Sequence, residues 1–366
     1  MTEPTPIDPS DLSGGERSHG SEPPDRSHAG DGTPCAFRGA ADVGPDRASR
    51  VRWLVFALAC GTSFLLYLHR YSWNIIGPNL QTELSLSNTE SAFLFSLFYY
   101  TYASGQIPSG VLIDRFGPHR FLSVIIGAWS LALVGLAQTI RPGLLSIWRL
   151  LFGATQAGCY PALTKVSQQW FPPRQRTTLQ GWVATTFGRA GGAMSPMILG
   201  TLLIGMWGLK WQSAVTVLGT LGLFHCAAFF LLFRNSPETD ERVNAAERLL
   251  ISGDAAVPSS SRTASAASPN RDVLPVSAAL HNRSLRWFTV QQFLDAGSDV
   301  VFVGMIGTYF LTALKFDIKQ TGWLASLPLW GGAVGGIVGG WLNDTWISRT
   351  GNRRLARSVV GFVGKV

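Results

Sequence analysis

Charged and amide side chains interrupt several long apolar runs of this sequence, and one of them, Arg70, could bind an anion. Arg70, Gln106 and Gln156 lie within three different runs. A guanidinium can hold a carboxylate through two parallel hydrogen bonds, and amides can bond hydroxyl groups. Burying a charge in lipid costs about 2.5–3.5 kcal/mol, so each such residue requires a reason. These residue types predict either contacts with a small polar anion or hydrogen bonds between helices.

Further polar positions leave the same alternatives open. His69 could titrate near neutral pH, but adjacent residues of a helix point about 100° apart, so His69 and Arg70 cannot face one point of a cavity. Arg189 lies deep in another run and can contact either an anion or carbonyls of a neighbouring helix. Asp295 and Asp299 are four apart and share a helical face. They form either a wetted polar stripe or, through Asp299, an ion pair with Arg70.

Eight apolar segments are long enough to position these side chains inside a membrane. Each can cross a hydrocarbon core of about 30 Å at about 1.5 Å per residue. The predicted segments are 52–73, 91–112, 121–140, 144–165, 177–203, 212–233, 286–312 and 320–342. The chain is only 14% charged, against roughly 25% in ordinary soluble domains. An all-α membrane protein is therefore predicted, and its scattered histidines and cysteines indicate no metal site, cofactor or disulfide framework.

These segments divide the chain into four predicted parts. They are a polar cytoplasmic tail at 1–50, a six-helix bundle at 51–233, a loop and linker at 234–284, and a partial second bundle at 285–366. The tail has too few apolar residues to fold and is predicted to be disordered. In the loop, Ser236 is predicted to cap a short helix that ends near Leu250. The apolar run after Arg357 is too short to cross a bilayer, so the second bundle is expected to hold two helices and the start of a third.

Basic residues in the connectors predict the orientation. The net charge is +8, yet the arginines lie between apolar runs and not along one face that could bind nucleic acid. One side has Arg50, Arg52, Arg115, Arg120, Arg174, Arg176, Arg234, Arg349, Arg353, Arg354 and Arg357, and the other has only Arg141, Lys210, Lys315 and Lys319. Because cytoplasmic loops are the basic ones, the pattern predicts a multi-pass protein of the plasma (inner) membrane with a cytoplasmic N-terminus.

Three motifs follow one another along the predicted first bundle. They are G-x-x-x-D-R-x-G-x-x-R at 110–120, R-x-x-x-G-x-x-x-x-G at 149–158 and G-R-A-G-G-x-x-x-P at 188–196, and a weaker copy of the first returns at 340–354. In order and position they resemble the major facilitator superfamily of secondary transporters, whose fold has two six-helix bundles around a central cavity. The resemblance implies that conformational gating involves Gly110, Asp114, Arg115, Gly117, Arg120, Arg149, Asp344 and Arg349, with Arg149 bonding helix to helix.

The resemblance also implies how the two charged turns act. In relatives, the aspartate of the first turn meets the N-terminus of the eleventh helix, where the helix dipole and free amides favour an anion, and so helps to hold one access state. This sequence contains no counterpart of that helix. By the pseudo-symmetry of the fold, Asp344 is expected to reach the start of the fifth span, near Arg174 and Thr177.

Within the superfamily, the chain resembles the anion:cation symporter branch, whose members carry hexuronates, other sugar acids, phthalate and related organic anions. The resembling stretches are 67–70, 159–165, 170–174 and 234–237. The substrate site implied by the resemblance comprises Tyr67, His69, Arg70, Gln106, Gln156, Arg189 and Asp299. The branch usually has aspartate where this chain has His69 and glutamate where it has Gln156, so both expected proton carriers are replaced. The coupling ion, where one is used, is a proton or sodium.

The resemblance implies a transporter of a small organic anion that works by alternating access. The alternatives are a truncated chain that does not transport, a half that needs a complementing C-terminal half, and a membrane scaffold or sensor that uses the tail to bind a partner. An enzyme is disfavoured, because the sequence has no paired catalytic residues and no metal-ligand spacing.

Overall fold

The computed structural model describes residues 47–252, 281–350 and 353–363, and the regular elements in these ranges are all helical, which confirms the predicted all-α class. In chain order the α-helices are α1 Val51–Tyr71, α2 Trp73–Glu83, α3 Asn88–Ala137, α4 Pro142–Gln156, α5 Cys159–Trp170, α6 Pro173–Gly181, α7 Gly188–Pro196, α8 Trp211–Leu232, α9 Ala245–Ser252, α10 Arg283–Thr312, α11 Ile318–Leu324, α12 Leu327–Thr350 and α13 Arg353–Val363. The π-helical segments Trp182–Phe187 and Met197–Met206 flank α7. Most of the predicted tail and of the Ser/Ala/Pro-rich linker lies outside the described residues.

Local signals in the sequence explain several helix starts. At the start of α3, Ser87 Oγ accepts a hydrogen bond from the Glu90 amide at 3.2 Å, and the Glu90 carboxylate accepts one from the Ser87 amide at 2.9 Å. Asp317 caps α11 by accepting from the Gln320 amide at 2.6 Å. Proline occupies the first position of α4. The amides in the first turn of a helix have no partner within the helix. Ser87, Glu90 and Asp317 accept hydrogen bonds from such amides, and proline has no amide N–H at this position.

Four helical stretches among the described residues are long and apolar enough to cross a membrane. They are Val51–Glu83, Asn88–Ala137, Trp211–Leu232 and Arg283–Thr312. The first of them extends ten residues past its predicted end at 73. The side chains of its polar residues Asn79 and Thr82 donate to carbonyls one turn back, those of Ile75 and Pro78, so these donors have partners within the helix.

The predicted spans outside these stretches consist of shorter helical pieces. A two-residue turn separates α4 from α5, π-helical residues flank α7, and another short turn separates α11 from α12. The 50-residue helix α3 would measure about 75 Å at about 1.5 Å per residue, more than twice a hydrocarbon core. It is broken at one position, Gly117, and so supplies the second and third predicted crossings.

The break in α3 lies within the charged turn that the sequence predicts. Gly117 has a φ of 75° and a ψ of 158°, a conformation that strains residues with a Cβ atom. The helix resumes at Pro118, and the amide of His119 donates to Asn235 Oδ1 at 2.8 Å. His119 Nε2 lies 2.9 Å from the carbonyl oxygen of Phe230 near the end of α8. The chain that leaves α8 therefore holds this turn in place.

Replacing Asn235 by alanine should lower the free energy of unfolding by about 1–2 kcal/mol, because the His119 amide would lose its acceptor in a half-buried position. Unfolding in mixed micelles measures the effect. Asn235→Asp keeps an oxygen in the same place and should recover most of the loss. Equal losses for both variants would show that the Asn235 acceptor does not support the turn.

The segment between α8 and α9 consists of turns and contains a correction to the predicted loop helix. The Ser236 hydroxyl accepts from the Glu238 amide, and the helix begins only at Ala245. The prediction that Ser236 caps this helix is wrong, since Asn244 Oδ1 accepts from the Glu247 amide at 2.9 Å and takes that role.

Arg242 connects the turn segment to the end of α8. Its Nη2 donates to Asp240 Oδ2 at 2.7 Å and to the carbonyl oxygen of Leu232. The hydrogen bonds from Arg242 hold the pKa of the Asp240 carboxyl below its usual range. This ion pair therefore persists at neutral pH and weakens only in acid.

The core lies between α1, α3, α4, α5 and α8. Its largest fully buried side chains are aromatic and include Trp129, Trp170, Phe98, Phe152 and Phe229. Small residues let the helices approach: a Cβ atom on Gly153 of α4 would overlap the Phe98 carbonyl of α3, and one on Gly191 of α7 would overlap the Phe64 carbonyl of α1. This close packing fixes the helices that carry the polar residues described next.

Candidate functional site

The guanidinium of Arg70 lies between α1, α3 and α4, surrounded by aromatic rings. Its Cζ atom is 4.4 Å from the ring centroid of Tyr102, 5.1 Å from that of Tyr67 and 5.2 Å from that of Phe98. Its Nε donates to Gln156 Oε1 at 3.1 Å. We call these five residues the Arg70 cluster. Aromatic faces attract a cation and exclude water, which lets an arginine remain charged in this position.

One nitrogen of this guanidinium has no partner. Arg70 Nη2 is buried and makes no hydrogen bond in the described part of the chain. Gln156 is itself fixed, since it is buried and its Nε2 donates to the Leu66 carbonyl at 3.3 Å. Within the described residues, no carboxylate lies within 4.0 Å of Arg70. The cluster therefore holds one positively charged side chain. The neutral amide of Gln156 orients its guanidinium, and Nη2 remains available as a hydrogen-bond donor.

His69 points away from the Arg70 cluster. It is fully buried, and its Nε2 lies 3.0 Å from the carbonyl oxygen of Leu218 on α8. Gly222 leaves space for its ring, because a Cβ there would lie 2.6 Å from His69 Cε1. The 100° offset between neighbours on a helix explains why Arg70 and His69 serve different surfaces. His69 Nδ1 is buried without a hydrogen-bond partner among the described residues, and a role for His69 in substrate binding stays a prediction.

Arg149 bonds two helices together. Its Nε and Nη2 donate to the carbonyls of Leu94 and Phe95 on α3, each at 3.1 Å, and its Cζ lies 4.0 Å from the ring centroid of Trp73. This is the interhelical bonding that the sequence comparison implied. With its donors used on α3, Arg149 fixes the helix that presents Gln156.

The remaining predicted site residues lie on surrounding helices. Asp299 of α10 is within electrostatic reach of Tyr71 and Tyr99, but the described residues show no ion pair between it and Arg70 within 4.0 Å. Arg189 of α7 lies against Gly332 of α12, where a Cβ would meet its guanidinium. Gln106 is half-buried on α3 and has no hydrogen bond to the Arg70 cluster. The structure thus brings together Arg70, Tyr67 and Gln156 and sets the others around them.

The sequence analysis names Tyr67 but not the other two aromatic residues of the cluster, Phe98 and Tyr102. Phe98 and Tyr102 are four apart on α3 and stack at 5.6 Å. Tyr160 of α5 lies 6.2 Å from the Tyr67 ring, and its hydroxyl is 2.9 Å from Ser63 Oγ. The spacing of 98 and 102 was the available signal, since it places both rings on one helical face. In an apolar run, however, such a pair is as typical of ordinary core packing.

One of the gating residues predicted at the first charged turn, Asp114, forms an ion pair. Lys165 Nζ of α5 lies 2.5 Å from Asp114 Oδ1, and the Asp114 side chain is 79% exposed. Arg115 and Arg120 are exposed. A Cβ on Gly110 would meet nothing within 4 Å, so close packing does not require glycine there. Asp114 therefore has a partner inside the first bundle.

The second charged turn is only partly described. Arg349 is exposed near the end of α12. The side chains of Asp344, Arg174 and Thr177 lie outside the described residues, so the expected contact between them stays a prediction.

A buried carboxylate joins α9 to the start of α1. Glu247 is fully buried and accepts hydrogen bonds from the amides of Val51 and Arg52, at 3.2 and 3.1 Å, and from Ser49 Oγ at 2.5 Å. Asn244 and Ser49 exchange two further hydrogen bonds. Asn244 Oδ1 accepts from the Ser49 amide at 3.1 Å, and the Asn244 backbone amide donates to Ser49 Oγ at 3.0 Å. Because amides at a helix N-terminus favour an anion, Glu247 acts as a cap supplied from a distant segment.

Replacing Glu247 by alanine should release this contact, with a local loss of about 2–3 kcal/mol, because two amides and a hydroxyl lose a charged acceptor. Hydrogen exchange at residues 51–56 should speed up. Glu241→Ala is the matched control, since Glu241 is exposed in the same loop. Unchanged exchange in Glu247→Ala would contradict the capping role.

The fold resembles solved membrane transporters. A structure described as a bacterial homologue of the human lysosomal transporter Spinster, inward-facing and unoccupied, superposes with a TM-score of 0.56 over 83% of this chain, at 16% identity. This chain spans 64% of the length of that one. At this identity the likeness concerns the fold alone.

Sequence comparisons match curated proteins and a family. The probable sulfoacetate transporter SauU of Cupriavidus necator is 32% identical over 320 residues, which cover 86% of this chain and 70% of SauU. The probable galactarate/D-glucarate transporter GudP of Bacillus subtilis is 28% identical over 87% of this chain and 70% of its own length. The probable L-galactonate transporter of Escherichia coli is 28% identical over 83% of this chain and 64% of its own length. Residues 58–364 match the Major Facilitator Superfamily profile. This chain belongs to the major facilitator superfamily.

Proposed function

We propose that the chain carries a small organic anion across a membrane by alternating access, with Arg70 as the group that binds the anion. The observation that carries this proposal is the buried Arg70 Nη2 without a hydrogen-bond partner. Leaving such a donor unsatisfied costs free energy, and an oxygen of a carboxylate or sulfonate would satisfy it. Family membership supports the transport step, because the family consists of transporters.

The proposed substrate is a small carboxylate or sulfonate, such as a sugar acid, a hexuronate or an aromatic carboxylate. The similar proteins are named for sulfoacetate, for galactarate and D-glucarate, and for L-galactonate. Each of these compounds carries an anionic oxygen group that a guanidinium can hold through two hydrogen bonds. The rings of Tyr67, Phe98 and Tyr102 would exclude water from that contact and strengthen it.

The Arg70 cluster also bears on ion coupling. Gln156 does not titrate, and His69 lies against the Leu218 carbonyl on another surface. We infer that coupling to a proton or to sodium, where it occurs, does not pass through these two positions. Binding of a monoanion would make the cluster neutral, since no described carboxylate pairs with Arg70.

The proposed location is the plasma (inner) membrane with the N-terminus in the cytoplasm. Asn235 and Phe230 join the end of α8 to His119 of the Gly117 turn, and Glu247 joins α9 to the start of α1. The basic residues Arg50, Arg115 and Arg234 lie in these connectors. Basic connectors favour the cytoplasmic side. We call the opposite end of the molecule, which contains the end of α2 and the start of α8, the far end.

A ligand-binding experiment tests the anion site. Galactonate, glucuronate or sulfoacetate should raise the Tm of the purified protein, whereas the neutral polyol galactitol should not. A ligand at a hundred times its Kd adds about 2.7 kcal/mol to stability. The Arg70→Gln variant should lose this response. An equal Tm rise in that variant would contradict the proposed role of Arg70.

A second candidate function is that of one half of a two-chain transporter. Exposed apolar residues on one face of α3 favour it: Tyr100, Ile107 and Val111 are 67%, 84% and 66% exposed. Lipid or a complementing helical half could cover this face. If the chain binds anions but transports them only when a second polypeptide with further membrane helices is co-expressed, this second candidate is correct.

A further inference from the structure

A polar cavity lies at the far end of the molecule, between α2 and the connection from α10 to α11. Its volume is about 580 Å³, and its polar lining consists of Asn79, Gln81, Thr82, Thr312 and Lys315. The apolar residues Pro78, Leu311 and Ile318 complete it. No residue of the Arg70 cluster lines it, so this is a separate space, which we call the Lys315 cavity.

The hydrogen bonds of the lining residues use both threonine hydroxyl protons and one N–H of each amide, and leave the side-chain oxygens with free lone pairs. Thr82 and Thr312 donate their hydroxyl protons to the carbonyls of Pro78 and Thr308, at 3.0 and 2.7 Å. Asn79 Nδ2 donates to the Ile75 carbonyl at 2.6 Å. Gln81 Nε2 donates to Asn88 at 2.7 Å, so the amide and hydroxyl oxygens keep free lone pairs. Such a surface suits a ligand that donates several hydroxyl hydrogen bonds.

Lys315 is the single charged residue among the described residues that line this cavity. Its backbone has a φ of 57°, which is rare for a residue with a side chain, and its side chain is exposed. The two carboxylates next in sequence to lining residues accept hydrogen bonds from neutral groups and keep their negative charge: Glu83 accepts from Trp211 Nε1 at 2.7 Å, and Asp317 caps α11. Among the described residues none forms an ion pair with Lys315. An ammonium beside oxygen acceptors fits a molecule that has both an anionic group and hydroxyls.

The cavity is aligned with the Arg70 cluster. Arg70 and Gln81 lie on one apolar helical stretch, Val51–Glu83, in which Ser72 separates α1 from α2 and Pro78 lies inside α2. Gln81 follows Arg70 by eleven residues, which places it about 16 Å further along the helix and only about 20° around it. A ligand leaving the Lys315 cavity towards the centre would therefore follow the helical face that carries Arg70.

We propose that the Lys315 cavity is an outer capture site for hydroxylated organic anions, which bind there before they reach Arg70. This inference rests on the proposed transport function and deepens it by selecting polyhydroxylated monoanions, such as aldonates, over plain alkyl carboxylates. Lys315 attracts the carboxylate, and the oxygens of Gln81, Thr82 and Thr312 accept hydrogen bonds from the sugar hydroxyls.

Initial-rate uptake into proteoliposomes tests the capture site. Lys315→Asn is the best replacement, because asparagine tolerates a positive φ while removing the charge. It should raise the KM for galactonate about threefold to tenfold, leave kcat within about twofold, and reduce the dependence of uptake on ionic strength. Lys315→Arg should behave like the wild type. Lys210→Asn, which removes an exposed far-end lysine outside the cavity, is the matched control.

A second comparison tests the hydroxyl selectivity. Thr82→Val removes one acceptor and should raise the KM for galactonate but not for hexanoate, which has the same charge and chain length without hydroxyls. If Lys315→Asn and Thr82→Val both transport galactonate like the wild type while Arg70→Gln does not, the capture site is refuted and the proposed function stands.

Protection of an introduced cysteine from labelling distinguishes the capture site from the proposed transport function. In a Cys35→Ser background, Thr312→Cys should react with an impermeant maleimide added from outside, and galactonate, but not hexanoate, should slow the reaction, even when Arg70 is glutamine. Protection without any transport by the wild type would refute the proposed function and support the cavity. Absence of protection would overturn the capture site whatever the transport result.

Discussion

Replacing Arg70 by lysine is expected to lower kcat/KM for organic-anion uptake about 100-fold, which corresponds to about 2.8 kcal/mol of lost binding. A lysine keeps the charge but loses the planar fork that bonds Gln156 Oε1 through Nε while leaving Nη2 for the anion. It also loses stacking on Tyr102, whose ring centroid lies 4.4 Å from the guanidinium carbon. Because charge is retained, a large effect would assign the role to guanidinium geometry and not to net charge.

Matched variants make this prediction specific. Arg141→Lys changes an exposed arginine at the far end and should leave uptake unchanged. Gln156→Leu keeps the guanidinium but removes the acceptor that orients it, and we expect a smaller loss of about tenfold. Near wild-type uptake by Arg70→Lys, with normal amounts of protein in the membrane, would remove Arg70 from the binding role.

The second large effect is expected at the glycines of the helix contacts. Gly153→Ala and Gly191→Ala should each destabilise the fold by about 3 kcal/mol or more, because the new methyl group would overlap a backbone carbonyl of another helix. At Gly153 the obstacle is Phe98 of α3, and at Gly191 it is Phe64 of α1. These backbone carbonyls cannot move aside unless the helices separate. That would move α4 away from α3, which carries Phe98, or α7 away from α1, which carries Arg70. The yield of monodisperse protein and its unfolding in micelles measure the loss.

Gly110 provides the control for this prediction, although it belongs to the same family motif as Gly117. A Cβ on Gly110 would meet nothing within 4 Å, as is also true of Gly143. Gly110→Ala and Gly143→Ala should therefore keep the stability or raise it by up to about 1 kcal/mol, since alanine favours a helix. If all four variants lost stability equally, the argument from backbone overlap would be wrong.

Sequence reasoning identifies the polar residues of the Arg70 cluster and Tyr67, but not its other two aromatic residues. Arg70 and Gln156 stood out because polar groups in apolar runs are costly. Phe98 and Tyr102 did not, because aromatic residues in such runs are usual core residues. The adjacency of His69 and Arg70 predicted correctly that they face different directions, but only the structure identifies the Leu218 carbonyl as the partner of His69.

Local signals can place helix starts but do not specify contacts between distant residues, and the one cap that the sequence predicts, Ser236, is wrong. The capping box at Ser87 and Glu90 can be read within four residues. The contacts of Asn235 with His119 and of Glu247 with Val51 join residues 116 and 196 positions apart, and no local pattern specifies them. The end of α2 was missed for a similar reason, since its polar side chains look like a span boundary until their bonds to helix carbonyls are known.

Uptake of labelled galactonate, glucuronate or sulfoacetate into proteoliposomes that contain only this chain tests the central claim most directly. The account predicts saturable uptake of at least one of these anions by the wild type, and its loss in Arg70→Lys and Arg70→Gln reconstituted at equal density. Absence of saturable uptake of any of these anions by the wild type, or uptake that both Arg70 variants retain, would contradict it.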